Sequence, residues 1–95
     1  MDTIHKYCLY IVDDVDSETA TFLAGNLRNG LGKRHGENYE LEVRSVFNNN
    51  NGEYAIKDGV FSIPALLKKF PTPVKKAVGN LRDTQEVILS VNPEE

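Results

Sequence analysis

Between His5 and Asp13 apolar residues fall on both phases of a two-residue repeat, with Tyr7, Leu9 and Ile11 on one side and Cys8, Tyr10 and Val12 on the other. A strand of this kind is covered on both faces and lies inside a sheet. After Asp13-Asp14-Val15-Asp16-Ser17 the period changes, and Asp16 or Ser17 offers a side-chain oxygen to the first free amides of a helix. Ala20, Leu23, Ala24, Leu27 and Leu31 then recur at helical spacing and form one apolar stripe. Asn29-Gly30 predicts fraying of that helix and Gly36 its end. Tyr39, Leu41, Val43 and Phe47 alternate with Glu40, Glu42 and Arg44, which predicts an edge strand with one dry and one wet face. Two strands joined by such a helix pair in parallel through a right-handed crossover.

The second half is punctuated differently. The tract from Asn48 to Asn51 and Gly52 interrupts the alternation, and Glu53 to Asp58 has room for a turn or two of helix before Gly59. From Ser62 to Leu81 the chain holds Pro64, Pro71 and Pro73 and four lysines. Proline removes a donor and biases the residue before it toward extended backbone, so Ala65–Phe70 and Val74–Val78 read as two short strands of a hairpin folded through Pro71-Thr72-Pro73. At the C-terminal end two signals conflict. Asp83-Thr84-Gln85-Glu86 is a capping box that favours a helix over Thr84 to Val91, whereas the β-branched run Val87-Ile88-Leu89-Ser90-Val91 reads equally well as a strand. With the helix, the order is βαβαββα. That order, with a proline opening the third strand, predicts a single α/β domain over residues 1–95 of thioredoxin-like arrangement: β1 central, β2 parallel beside it, an antiparallel hairpin on the other side.

Composition narrows the function. Apolar residues at 40% and charged residues at 26% are ordinary globular values, and 95 residues suffice for one core. A net charge of -3 argues against general binding of nucleic acid, no apolar run is long enough to span a membrane, and the first residues lack the pattern of a signal peptide. Cys8 has no partner cysteine for a disulfide or a Cys-x-x-Cys centre, which fits a reducing cytoplasm. A thioredoxin-type enzyme needs a stabilised thiolate where strand one meets its helix; here Asp13, Asp14 and Asp16 stand there and would repel one. Cys8 reads as a packed core residue, the three aspartates as solvated strand-end and cap residues, and His5 and His35 as separate surface side chains. No catalytic residue, metal site or cofactor is therefore expected. Most aromatics sit in core phase, with Tyr54 and Phe61 the best placed for partial exposure. Lys68, Lys69, Lys75 and Lys76 either keep an edge hairpin from aggregating or form a docking face for an acidic partner surface.

Tyr10-Ile11-Val12, Ser62-Ile63-Pro64-Ala65-Leu66, Phe70-Pro71-Thr72-Pro73-Val74-Lys75-Lys76 and Val78-Gly79-Asn80-Leu81-Arg82-Asp83 together resemble the KaiB family, strongly over residues 60–95 and in element order before that. Asn80, Thr72 and Arg82 depart from the family's usual aspartate, triple proline and small polar residue. The resemblance implies a non-catalytic protein that binds a KaiC-type ATPase through its second half and modulates that partner's phosphorylation or ATPase cycle in circadian, timing or stress regulation. It also implies a cis Ile63-Pro64 bond and fold switching with an alternative βαββααβ ground state, in which residues 84–91 become a strand, the region 61–79 becomes helical, and the chain assembles as a dimer or tetramer. Proline isomerisation, on the order of tens of seconds, is slow enough to gate such an exchange. Lys57, Asp58, Phe61, Lys68, Lys69, Lys75 and Lys76 are the expected partner-binding residues, and Pro64, Pro71, Pro73, Gly79, Asn80 and Asp83 the expected hinges. The chain is similar as well to the sensor domain of the histidine kinase SasA, which gives the alternative reading of a two-component sensor module.

Overall fold

The computed structural model describes residues 3–47, 51–79 and 81–93. Their elements run β1 (His5–Ile11), α1 (Glu18–His35), β2 (Tyr39–Ser45), α2 (Asn51–Lys57), β3 (Ala65–Phe70), β4 (Lys75–Val78) and α3 (Thr84–Val91). The strands form a sheet of order β2-β1-β3-β4, with β1 parallel to β2 and antiparallel to β3. The doubly apolar β1 thus lies inside the sheet, and the alternating β2 forms one edge, as the sequence pattern predicts.

Each sheet face has its own cover. Tyr7, Leu9, Ile11, Leu41 and Leu66 point to the face packed by α1 and α3, where Leu23, Leu27, Leu31, Ile88 and Val91 complete the main core. Cys8, Tyr10 and Ala65 point to the opposite face, where they meet Ala55 of α2 and Val60 just beyond it. That second cluster is small, because α2 is only seven residues long and Ala55 is its one buried side chain. The asymmetry places a large dry core on one side and a thinly covered surface on the other.

The helix ends follow local chemistry. The Ser17 side chain accepts from Ala20 N–H at 3.1 Å, and Asp83 accepts from Glu86 N–H at 3.1 Å. The conflict over residues 84–91 is thereby resolved as a helix, whose β-branched Val87, Ile88 and Val91 are buried against α1 and the sheet. Contrary to the expected fraying, α1 continues through Asn29-Gly30. A Cβ on Gly30 would stand 2.5 Å from Ile88 Cδ1, so this glycine lets α3 approach rather than ending α1. β1 stops at Ile11, leaving Val12 49% exposed, and β2 stops at Ser45, leaving Phe47 79% exposed. Both residues lie beyond the last paired position of β1 with β2, Ile11 with Ser45, and so lose the cover that the repeat predicts. Helix α2 begins at Asn51, whose Nδ2 donates to Ser45 O at 2.8 Å and ties it to the end of β2.

The link from β4 to α3 is conformationally unusual. Gly79 has φ 118° and the buried Leu81 has φ 57°, a left-handed value uncommon outside glycine and held here by burial of the side chain in the main core. A Cβ on Gly79 would touch nothing within 4 Å, so Gly79→Ala is expected to destabilise the fold by about 1–2 kcal/mol through backbone conformation alone. Urea unfolding beside Gly25→Ala, an open position inside α1, checks this: alanine there is expected to be neutral or stabilising.

Candidate functional site

On the thinly covered face the polar side chains converge on Asp58, at the end of α2. The Tyr10 hydroxyl donates to Asp58 Oδ2 at 2.6 Å, Lys69 Nζ lies 3.6 Å from the same oxygen, and Arg44 Nη1 approaches the Tyr10 oxygen at 3.5 Å. Burial, followed by the hydrogen bond to Asp58, pushes the Tyr10 phenol well above its ordinary pKa, so it stays a neutral donor. Arg44 also donates to Glu42 at 2.7 Å and holds its guanidinium 5.0 Å above the Tyr54 ring, while Lys57 lies 5.9 Å from the same ring. Lys76 Nζ donates to Gly59 O and ties the loop after α2 to β4. These contacts fix α2 and its following loop on the sheet without covering them.

What they leave open is apolar. Phe61 is 79% exposed and Ile56 62% exposed, and Tyr54 and Val78 are exposed as well. The expectation that most aromatics are core residues is overturned: all four phenylalanines, Phe22, Phe47, Phe61 and Phe70, are exposed. Position explains it, since Phe47 and Phe61 sit in loops and Phe70 ends β3 where the hairpin turns.

The four lysines do not form one patch. Pairing of Leu67 with Lys76 and of Lys68 with Lys75 sends Lys69 and Lys76 to the α2 face and Lys68 and Lys75 to the α1/α3 face. Because β3 lies between β1 and β4, of the four lysines only Lys75 and Lys76 stand on an edge strand. Lys69 and Lys76 are therefore brought to the face that carries Asp58, beside Lys57 at the end of α2 and the loop that holds Phe61, and Lys68 and Lys75 are set apart from it.

Cys8 is fully buried, and that burial raises its pKa to about 11. The thiol is neutral and inaccessible at physiological pH, and native protein is expected to resist a disulfide reagent at pH 8 while denatured protein reacts fully. Because the folded pKa exceeds its ordinary value of 9.0, the burial favours folding below pH 9 and is lost as pH rises toward 11, which alkaline unfolding monitors. His5 and His35, expected as separate surface residues, stack with ring centroids 3.7 Å apart. The crossover returns the end of α1 to the start of β1, where the Tyr7 hydroxyl lies 2.9 Å from His35 Nε2 and accepts from Asn92 Nδ2 at 3.0 Å.

A family model described as the KaiB domain matches residues 8–92. The chain belongs to the KaiB family. Among solved structures, the N-terminal domain of Synechococcus elongatus SasA superposes with a TM-score of 0.74 at 15% identity, covering 100% of this chain and 90% of that one. That likeness establishes the thioredoxin-like fold for this KaiB-family chain. No curated protein matches it. Of the family-implied hinges, Ile63-Pro64 is cis, as are Phe70-Pro71 and Thr72-Pro73, Gly79 has its positive φ, and Asp83 caps α3. Asn80 lies outside the described residues. Sequence reasoning missed Ile56 and Val78, whose apolar character reads as core; the brevity of α2 and the edge position of β4 were the available signals. No helix among the described residues is long and apolar enough to cross a membrane.

Proposed function

We propose that this KaiB-family chain is a non-catalytic cytoplasmic interaction protein that binds a KaiC-type ATPase and modulates its phosphorylation or ATPase cycle in circadian or related timing and stress regulation. The observation that carries the reading is the α2 face, where Ile56 and Phe61 stand exposed beside Lys57, Lys69 and Lys76. An apolar centre rimmed by charge is the anatomy of a protein interface, in which the aromatic side chain supplies affinity and the charges supply encounter rate. Fold switching is part of the proposal. The helix at residues 84–91 combines the Asp83 cap with a β-branched run, and the segment leading into it carries the left-handed Leu81, so opposing local preferences meet where a switch requires them. The alternative state would assemble as a dimer or tetramer.

Co-precipitation with a KaiC-type ATPase, with ATP, with ADP and without nucleotide, tests the function. Retention in at least one nucleotide state is expected, and absence of binding in all of them would sink the reading. A second reading, the two-component sensor module, is favoured by the full-length superposition on the SasA domain. Competition between this chain and a SasA sensor domain for one ATPase ring would show that both use the same docking mode.

A further inference from the structure

Lys68 and Lys75, which the sheet separates from the α2 face, have a setting of their own. They are direct cross-strand partners on the α1/α3 side of the hairpin. Lys68 is only 8% exposed, although it carries a charge. Both line a recess of about 130 Å³ together with Thr72 of the hairpin loop and Asn92, which follows α3. Among the described residues no carboxylate lines this recess, and no ion pair or hydrogen bond engages either ammonium group.

Like charges directly opposite one another across two strands repel, and burial of the Lys68 stem leaves its ammonium group unpaired but in contact with solvent. Asn92 does not relieve the repulsion, because its side-chain amide is already committed to the Tyr7 hydroxyl and the Ile88 carbonyl. Those bonds instead make one wall of the recess rigid, and the proline-flanked Thr72 forms another with a hydroxyl to donate. Two ammonium groups and a hydroxyl around a small concavity match one compact, multiply charged oxyanion, and binding it would remove the repulsion between the lysines.

We propose that the Lys68–Lys75 recess is an oxyanion site of phosphate class. The ligand is either free inorganic phosphate or a phosphoryl group carried by an amino-acid side chain, since both present the same oxygens. This goes beyond docking on the α2 face and is independent of it, because the site lies on the other side of the sheet.

Titration of the full chain with inorganic phosphate, and separately with O-phosphoserine, at ionic strength matched with sodium chloride, tests the site by amide NMR shifts and by thermal unfolding. Saturable shifts at Lys68, Thr72 and Lys75, with a rise in Tm, are expected for phosphate. Tighter binding of O-phosphoserine identifies the phosphoryl group of a partner as the better ligand, and equal binding identifies the bare oxyanion. Lys68→Met keeps the buried stem, removes the charge, and is expected to weaken binding about tenfold or more, as is Lys75→Met, which alters a less buried position. Lys76→Met, on the opposite face, is expected to leave binding unchanged. Shifts that grow linearly, that chloride reproduces, or that persist in both the Lys68 and Lys75 variants would overturn the proposal.

Discussion

The double variant Ile56→Ala, Phe61→Ala is expected to bind a KaiC-type ATPase about 100-fold more weakly than the parent chain, with its stability changed by no more than about 0.5 kcal/mol. Both side chains are mostly exposed, so their loss opens no cavity in the folded chain. In a complex they would be the apolar centre of the interface, where truncating one anchor costs about 2 kcal/mol or more and neighbouring losses add incompletely. Tyr10, Asp58 and Lys69 hold the end of α2 through contacts that neither substitution touches, so the surface keeps its shape. Charge reversal at Lys57 is expected to act differently, slowing association at low salt with a smaller effect on dissociation. Unchanged affinity in the double variant, with binding intact, would move the interface off this face.

Leu66→Ala is expected to cost about 3 kcal/mol. Leu66 is fully buried in β3, paired with Leu9 on one side and Ala77 on the other, and faces the core under α1 and α3. Its truncation leaves a cavity bounded by strand backbones that cannot collapse into it. A domain of this size has only about 5–15 kcal/mol of stability, so the variant loses a large share of it. In urea the midpoint should fall by about 2 M at unchanged slope. A fall of less than about 0.5 M would mean that Leu66 is not central to the core.

The fold was legible because its signals are local and agree with one another. The doubly apolar β1, the stripe of α1, the alternation in β2 and the proline-framed hairpin each name their element, and the sheet order follows from them. Residues 84–91 were ambiguous because the cap at Asp83 and the β-branched run oppose each other; burial of Val87, Ile88 and Val91 against α1 settles that contest in the observed fold. The proposed interaction surface was less legible. Lysines adjacent in sequence part to opposite faces as soon as strand register is fixed, so Lys68-Lys69 and Lys75-Lys76 read as one cluster until β3 pairs with β4. The stacking of His5 on His35 likewise depends on the crossover bringing distant segments together, which no local pattern announces. Gly30 looked like a breaker because its use, admitting Ile88, lies in another element.

The most direct test of the account is hydrogen exchange on the full chain, alone and saturated with a KaiC-type ATPase in each nucleotide state. The account predicts slowed exchange over residues 51–63 and along the outer edge of β4, with α1 unchanged. Protection confined to α1, or no complex in any nucleotide state, would contradict it.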